Sequence, residues 1–328
     1  MPPGVSIVLV NFNGREHLEL PVRHRVDDVP RRERAEERLG PRDDRGPRRD
    51  GPRRDRPPRR DGVPRRLEAE HSNRSVLPDD PVLSCLDQLV EDFADEWMTK
   101  AMFHYRWHYP KDAAHAAPLL TFWQNPQYSG PVAQQISTEF GQRQISRLYV
   151  VGSSDLTAPV IESSFQRLVG IMDRIIERQG FVLGSRPASA DFAIYGQLTQ
   201  LGWVDPTPAD LLARNSPRLR AWLDRTDDLS GHSAGDWVPH SCVRDHLGEL
   251  LNEIGRVYAP FLIANAQAAA RGRKEFETHI DGQLWAQPVF PYQIKCLETL
   301  RSARDSLSAE NRNALDSVLA GTDRKSVV

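Results

Sequence analysis

The stretch that decides the fold of this 328-residue chain extends from Phe181 to Phe192 and reads FVLGSRPASADF. Its glycine and proline are typical of a loop, and the polar residues after them are typical of the first turn of a helix. The sequence then stays strongly apolar as far as Trp203, which predicts a buried helix. A carboxylate in the first turn, such as Asp191, accepts backbone N–H groups that lack a partner within the helix. We therefore assign Asp191 a structural role.

A long first helix is predicted from Pro81 to about His108. Asp79 or Asp80 can cap its start, Pro81 suits the first helical position, and Pro110 is expected to end it. The apolar residues recur at steps of three and four, so they form one core stripe: Val82, Leu86, Leu89, Val90, Phe93, Trp97, Ala101 and Tyr105.

Four further helices are predicted over residues 131–150, 159–179, 208–214 and 217–224. The apolar positions of the first of these are Val132, Ile136, Phe140 and Leu148. Those of the second are Ile161, Phe165, Leu168, Val169, Met172, Ile175 and Ile176, with Gly180 as the expected C-terminal cap. Strands with the spacing of β-α-β units do not appear between residues 81 and 230. The pattern therefore predicts an antiparallel helical bundle.

The last eighty residues predict an extension that packs on this bundle. An apolar helix is expected over residues 247–266, with a kink near Pro260. Alternating residues on both sides of Asp281-Gly282 give the strongest hairpin signal in the chain. Two final helices are expected over residues 292–307 and 308–320, with Ser308 as the cap of the second.

This series of helices resembles the C-terminal helical domain of cytosolic glutathione S-transferases. The most specific residues are Phe181-x-x-Gly184, then Ser189-Ala-Asp-Phe-Ala193, then Ser216-Pro-Arg-Leu-x-Ala-Trp222. The resemblance spans about Leu67 to Arg225. It implies a mainly α fold, a glutathione S-transferase C-terminal-like bundle over residues 67–240, followed by a helical extension over residues 241–328 that contains one β-hairpin.

The resemblance also bears on the start of the buried helix. The family usually has Ser or Thr three residues before the Asp that matches Asp191, forming a capping box. Ala188 occupies that position here, so we expect Ser189 to act as the cap one residue later, together with Asp191.

The function implied by the resemblance is conjugation of glutathione, as co-substrate, to a hydrophobic electrophile. In that family glutathione binds a thioredoxin-like half, and residues 1–66 carry no such pattern. We therefore expect that half to be absent and catalysis to be lost, and no catalytic residue can be assigned. The first long helix lines the electrophile pocket in the family, which implies substrate-binding roles for Trp97, His104, Tyr105, Arg106 and Trp107. The alternative interpretation of these residues is bundle core.

Residues 1–66 differ in composition from the rest of the chain. Residues 1–20 contain one strand-like fragment, and VSIVLVNFNGREHL, Val5 to Leu18, resembles the first strand of inverting glycosyltransferases that use nucleotide sugars. A lone strand cannot form a sheet. Residues 21–66 contain 17 Arg, 10 Asp or Glu and 8 Pro, a composition that predicts disorder. Two alternatives are a basic arm for nucleic acid and a stretch translated from a shifted reading frame.

The composition of the whole chain excludes several other classes. The three cysteines form no CxxC pair, which argues against a disulfide framework or a zinc module. His104 and His108 could share a metal, but a third ligand is not evident, so no metal is predicted.

The net charge is −2, and no apolar run reaches the roughly 18 residues of a membrane span. We expect a cytoplasmic protein with a hydrophobic electrophile as ligand, a homodimer by resemblance, no membrane partner and no nucleic acid. The alternative function is a non-catalytic helical interaction module.

Overall fold

The computed structural model describes residues 74–320, which are mostly helical. The predictions for residues 1–20 and 21–66, and for a missing thioredoxin-like half, lie outside the described residues. The division of the chain at residues 20, 66 and 240 also stays a prediction. Among residues 74–320, we find no helix with the length and apolar character needed to cross a bilayer.

The first long helix follows the prediction and has three parts: α1 (Pro81–Phe93), a π-helical turn (Ala94–Met98) and α2 (Thr99–His108). Every residue of the predicted apolar stripe is buried. Asp80, not Asp79, is the cap, because its carboxylate accepts the backbone N–H groups of Val82 and Leu83 at 2.9 Å.

Replacing Asp80 by alanine is expected to lower the free energy of unfolding by about 1 kcal/mol, because two N–H groups at the start of α1 lose their acceptor. Chemical denaturation measures this change. Asp79→Ala is the matched control, since Asp79 is exposed and does not cap the helix. Equal losses for the two variants would contradict the assignment of the cap.

Pro110 ends the first helix but also begins another helix, which the sequence analysis did not predict. Tyr109 has an extended backbone (φ −88°, ψ 124°), as expected before a proline, and Pro110 occupies the first position of α3 (Pro110–Gln124). The helix predicted over residues 131–150 is shorter: α4 (Gly130–Ile145) is followed by a separate 3₁₀ turn (Leu148–Val151).

The apolar positions predicted for this helix are only partly inside the protein. Val132, one of the apolar positions of the predicted helix, is 59% exposed. Ile136, Phe140 and Leu148 are half-buried. The cause is that α4 packs against α3 and α2 along one side and leaves its other side in solvent.

The centre of the bundle is formed by the helices on both sides of the stretch that decides the fold. They are α5 (Ala158–Gln179), α6 (Ser189–Thr199) with a π-helical turn (Gln200–Val204), α7 (Pro206–Asn215) and α8 (Pro217–Thr226). Helix α6 packs against α1, and its residues Ala190, Ile194 and Leu198 are fully buried.

The loop between α5 and α6 requires its glycines. Gly180 ends α5 with φ +93°, as predicted for a C-terminal cap. Gly184 has φ +137°, and a Cβ atom there would lie 2.3 Å from the carbonyl oxygen of Asp236. Gly184 thus allows the loop to pair with the segment around Trp237.

The C-terminal elements pack on the bundle as predicted. They are a 3₁₀ turn (His240–Cys242), α9 (Val243–Glu253), a π-helical turn (Ile254–Tyr258), α10 (Ala259–Ala270), β1 (Glu275–Ile280), β2 (Gln283–Pro288), α11 (Pro291–Asp305) and α12 (Ala309–Leu319). The predicted kink corresponds to the π-helical turn just before Pro260. Ser308 caps α12, accepting the N–H of Asn311.

The two strands form an antiparallel hairpin in which Ile280 is opposite Gln283. Its turn residues Asp281 and Gly282 have φ +52° and +74°, as a two-residue turn of this kind requires. Trp285 on β2 is fully buried and its ring centroid lies 5.4 Å from that of Trp97 on the first long helix. The hairpin is therefore part of the core.

Candidate ligand-binding cleft

A cleft of about 820 Å³ lies along the helical hairpin formed by α3 and α4. Among its lining residues, all within the described part of the chain, there is no Asp, Glu, Lys or Arg, and the titratable one is His108. The lining residues are Trp107, His108, Pro110, Ala113, Ala114, Ala117, Pro118, Phe122, Ser129, Gly130, Ala133, Gln134, Ser137, Thr138, Gly141, Gln142 and Ile145.

Small side chains on both helices create this cleft. On α3 the lining positions are largely alanine, and on α4 they include Gly130, Ala133 and Gly141. A Cβ atom at Gly141 would lie 3.0 Å from the Cβ atom of Ala117, so the two helices approach closely there. The indole of Trp107 packs against Phe140, with ring centroids 5.8 Å apart, and forms part of the wall.

Trp107 is the one member of the predicted substrate-binding set that lines the cleft. The indole Nε1 of Trp97 instead donates a hydrogen bond to Ser164 Oγ at 2.9 Å, and its ring packs against Trp285 and Phe261 in the core. Trp97 therefore packs in the core, and its role as a ligand contact stays a prediction.

His104 is fully buried and has a partner for each ring nitrogen. Its Nδ1 lies 2.8 Å from Ser153 Oγ, and its Nε2 lies 3.1 Å from Glu162 Oε1. Burial lowers the pKa of His104, although the hydrogen bond with Glu162 acts in the opposite direction. The Tyr109 hydroxyl donates to the same glutamate oxygen. These contacts leave His104 without a free polar group for a ligand.

Serine, histidine and carboxylate in this order resemble a nucleophilic triad, but the surroundings do not support that chemistry. Ser153 is buried, with 3% of its surface exposed. The backbone N–H of Ser153 donates to Leu148 O, and that of Gly152 donates to Tyr149 O. Both N–H groups already have an acceptor and are therefore unavailable to stabilise an oxyanion. We interpret the arrangement as a structural network.

Tyr105 and Arg106 also belong to the interior. Tyr105 packs against Phe165, and burial raises its pKa. The Arg106 guanidinium donates through Nε to Asp205 Oδ1 at 2.8 Å and through Nη2 to Gln200 at 2.9 Å. Burial raises the pKa of Asp205, and the charge of Arg106 partly offsets this. The pair joins α2 to the start of α7, so its role is structural.

The start of α6 differs from the prediction in one residue. Asp191 accepts the backbone N–H groups of Val182 and Ala188 at 2.8 and 2.9 Å. Ser189 does not cap the helix, because it is already the first helical residue. Its hydroxyl donates to Asp87 Oδ2 at 2.6 Å and lies 2.8 Å from Glu91 Oε2. The correction is that Ser189 joins α6 to α1.

Two carboxyl groups at this contact are shielded from water. Burial raises the pKa of Asp87 to about 7, with the Ser189 hydrogen bond acting against the shift. Burial raises the pKa of Asp191 to about 8, although its two backbone hydrogen bonds favour the ionised form. Across residues 74–320 there is no group of three or more His, Cys, Asp or Glu side chains that could hold a metal ion.

The residues of α3 that line the cleft were not predicted from the sequence. A signal for them exists: Pro110 is followed by Asp112 and then by four alanines within five residues. Alanine has the highest helix propensity, and proline followed by an acidic residue is typical of a first turn. Pro118 opposes this signal, because proline inside a helix removes a backbone hydrogen bond.

Comparison with protein families agrees with this architecture. Residues 142–225 match the family model described as glutathione S-transferase, C-terminal domain. Within these residues the chain is similar to the C-terminal domain of glutathione S-transferases. The match includes α5, α6 and the loop between them, which is the stretch that decides the fold. Neither the curated proteins nor the solved structures yielded a match. Most of the cleft lies just before the matched residues.

Proposed function

We propose that this chain is a glutathione S-transferase-like protein whose helical domain holds a hydrophobic electrophile in the α3–α4 cleft. The observation that carries the proposal is the lack of Asp, Glu, Lys and Arg among the cleft residues. A charged ligand entering such a cleft would lose water without gaining an ion partner. The volume of about 820 Å³ falls within the usual range for small-molecule sites. A neutral, mostly apolar ligand is therefore favoured.

The implied co-substrate is glutathione, whose thiolate sulfur would form a bond to the electrophilic carbon while the leaving group departs with the bonding pair. Three tyrosine hydroxyls of the domain are already used as donors to carboxylates: Tyr109 to Glu162, Tyr195 to Asp227 and Tyr258 to Asp92. We therefore assign them no role in activating the thiol. The proposal gives residues 74–320 the binding of the electrophile.

The test is to fill the cleft. Chlorodinitrobenzene, a neutral aryl electrophile, is expected to quench the tryptophan fluorescence of the full chain with saturation, because Trp107 lines the cleft. Ser137→Phe should weaken this binding about tenfold or more, since the added ring occupies ligand volume. Gln135→Phe is the matched control, because Gln135 is exposed on α4 and does not line the cleft.

The outcomes separate the two halves of the proposal. Retention on immobilised glutathione and release by free glutathione would support glutathione as co-substrate. Electrophile binding without retention would support the cleft alone. Absence of saturable quenching, or equal losses in the two variants, would contradict the proposal and favour the non-catalytic interaction module.

The proposal has two further parts, a cytoplasmic location and a homodimer. The cysteines support the first, and the family resemblance supports the second. The described cysteines Cys85, Cys242 and Cys296 are free, which is consistent with the reducing environment of the cytoplasm. The homodimer implied by the family can be tested by sedimentation equilibrium of the full chain.

A further inference from the structure

The hairpin of α3 and α4 contains a long stretch without charge. Residues 113–138 include no Asp, Glu, Lys or Arg over 26 consecutive positions, although 27% of the whole chain is charged. The stretch covers most of α3, the connecting loop and the first half of α4. If charged residues were spread evenly along the chain, several of them would lie within residues 113–138.

The end of the hairpin exposes large apolar side chains. Trp123 at the end of α3 is 55% exposed, and Phe122 beside it is 41% exposed. Val132 at the start of α4 is exposed to a similar extent. We call Phe122, Trp123 and Val132 the hairpin tip. Soluble surfaces seldom group such residues without a partner.

The backbone of the connecting loop meets several of its own hydrogen-bonding needs. The N–H of Asn125 donates to Thr121 O, that of Tyr128 donates to Asn125 O, and that of Gln127 donates to the Asn125 side chain. Groups that are paired internally cost less free energy when they leave water. These three N–H groups can therefore keep their partners when the loop enters a less polar medium.

We propose that the hairpin tip inserts into the interfacial layer of a lipid bilayer. Aromatic side chains favour this layer, where an apolar ring and a polar edge both find suitable surroundings. Three exposed apolar residues can enter lipid, but they are far fewer than the roughly 20–30 residues that each side of a stable protein interface contributes. Because the tip has no cations, its partner is a zwitterionic lipid surface rather than an anionic one.

The nearest charge sets the depth of insertion. Glu139 lies seven residues after Val132 on α4, which is about 10 Å along a helix. This distance matches the depth of about 5–10 Å at which interfacial elements lie. No membrane partner was predicted from the sequence because no segment spans a bilayer, and a tip that inserts does not span it. The proposal does not depend on the proposed function.

The experiment is flotation of the full chain with phosphatidylcholine vesicles at low and at high salt. We expect binding that does not change with salt, and quenching of tryptophan fluorescence by lipids with brominated acyl chains. Trp123→Ser combined with Val132→Ser should lower the partition coefficient about tenfold or more. Neither residue lines the cleft, and both are exposed, so the fold is retained. Trp203→Ser is the matched control, since Trp203 is 37% exposed outside the hairpin.

Several results would overturn the proposal. One is failure of the unmodified chain to float with phosphatidylcholine vesicles. Another is binding that requires anionic lipid and disappears at high salt, which would indicate an electrostatic contact. Equal losses in the tip variant and in Trp203→Ser would exclude a specific role of the tip. Self-association in the absence of lipid that the tip variant abolishes would identify a second copy as the partner.

Discussion

Replacing Asp191 by alanine is expected to lower the free energy of unfolding by about 3 kcal/mol. The carboxylate is fully buried and accepts the N–H groups of Val182 and Ala188. Each buried N–H group without an acceptor costs about 1–3 kcal/mol. Urea denaturation measures the loss. Asp210→Ala is the matched control, because Asp210 is an exposed carboxylate on α7, and it should change stability by less than about 0.5 kcal/mol.

Because Asp191 titrates, its contribution to the free energy of unfolding should depend on pH. Its pKa is raised to about 8 in the folded chain, compared with about 4 in an unfolded one. The folded state therefore holds an additional proton between these values, and its stabilising effect is lost as the pH rises through about 8. Asp191→Asn should reduce the fall in stability between pH 4 and pH 8. An Asp191→Ala protein as stable as the unmodified chain would contradict the assignment.

Replacing Lys100 by methionine is expected to raise the free energy of unfolding by about 2 kcal/mol at pH 6. Lys100 on α2 is almost completely buried, with its ammonium group 4.1 Å from the ring centroid of Phe261. Its Nζ donates to Val151 O at 3.0 Å and to Gln287 Oε1 at 3.4 Å, and the charge of Glu96 only partly offsets the effect of burial on its pKa. Methionine fills a similar volume without a charge that must leave water.

The increase in the free energy of unfolding caused by Lys100→Met should depend on pH. Burial lowers the pKa of Lys100 to about 7, whereas an unfolded lysine titrates near 10.4. The folded state binds fewer protons in this interval, so the stability of the unmodified chain should rise from pH 7 to pH 10. Lys100→Met should lose that rise, and denaturation at pH 6, 8 and 10 measures it. Lys111→Met, at an exposed lysine, is the control. A destabilised Lys100→Met protein at pH 6 would contradict the prediction.

The helices with clear apolar periodicity and clear ends could be predicted from the sequence. The stripe of α1 and α2, the turn at Asp281-Gly282 and the cap at Ser308 all depend on local chemistry, and the structure agrees with each. Helix α3 was missed because its alanines give almost no apolar contrast between faces and because Pro118 argues against a helix.

The residues of the candidate cleft could be predicted less well, for a geometric reason. Trp97 and Tyr105 belong to the core stripe itself, and His104 lies seven residues after Trp97, which places it on the same face of the helix. That face points into the bundle, so these residues are buried. The cleft depends on how α3 and α4 approach each other near Gly141, a tertiary contact that no local pattern encodes.

The π-helical turn over Ala94–Met98 makes the orientation of the α2 side chains depend on the exact number of residues in the first long helix. A π turn holds one residue more than an α turn, which rotates everything after it by about 100°. Phe93, Trp97, Ala101 and Tyr105 recur at steps of four, a spacing that would drift around a regular helix, and the wider turn keeps them on one side. A chain one residue shorter between α1 and α2 would turn a different set of α2 side chains toward α5. The number of residues in this segment, as well as their chemistry, therefore determines whether Trp107 reaches the cleft.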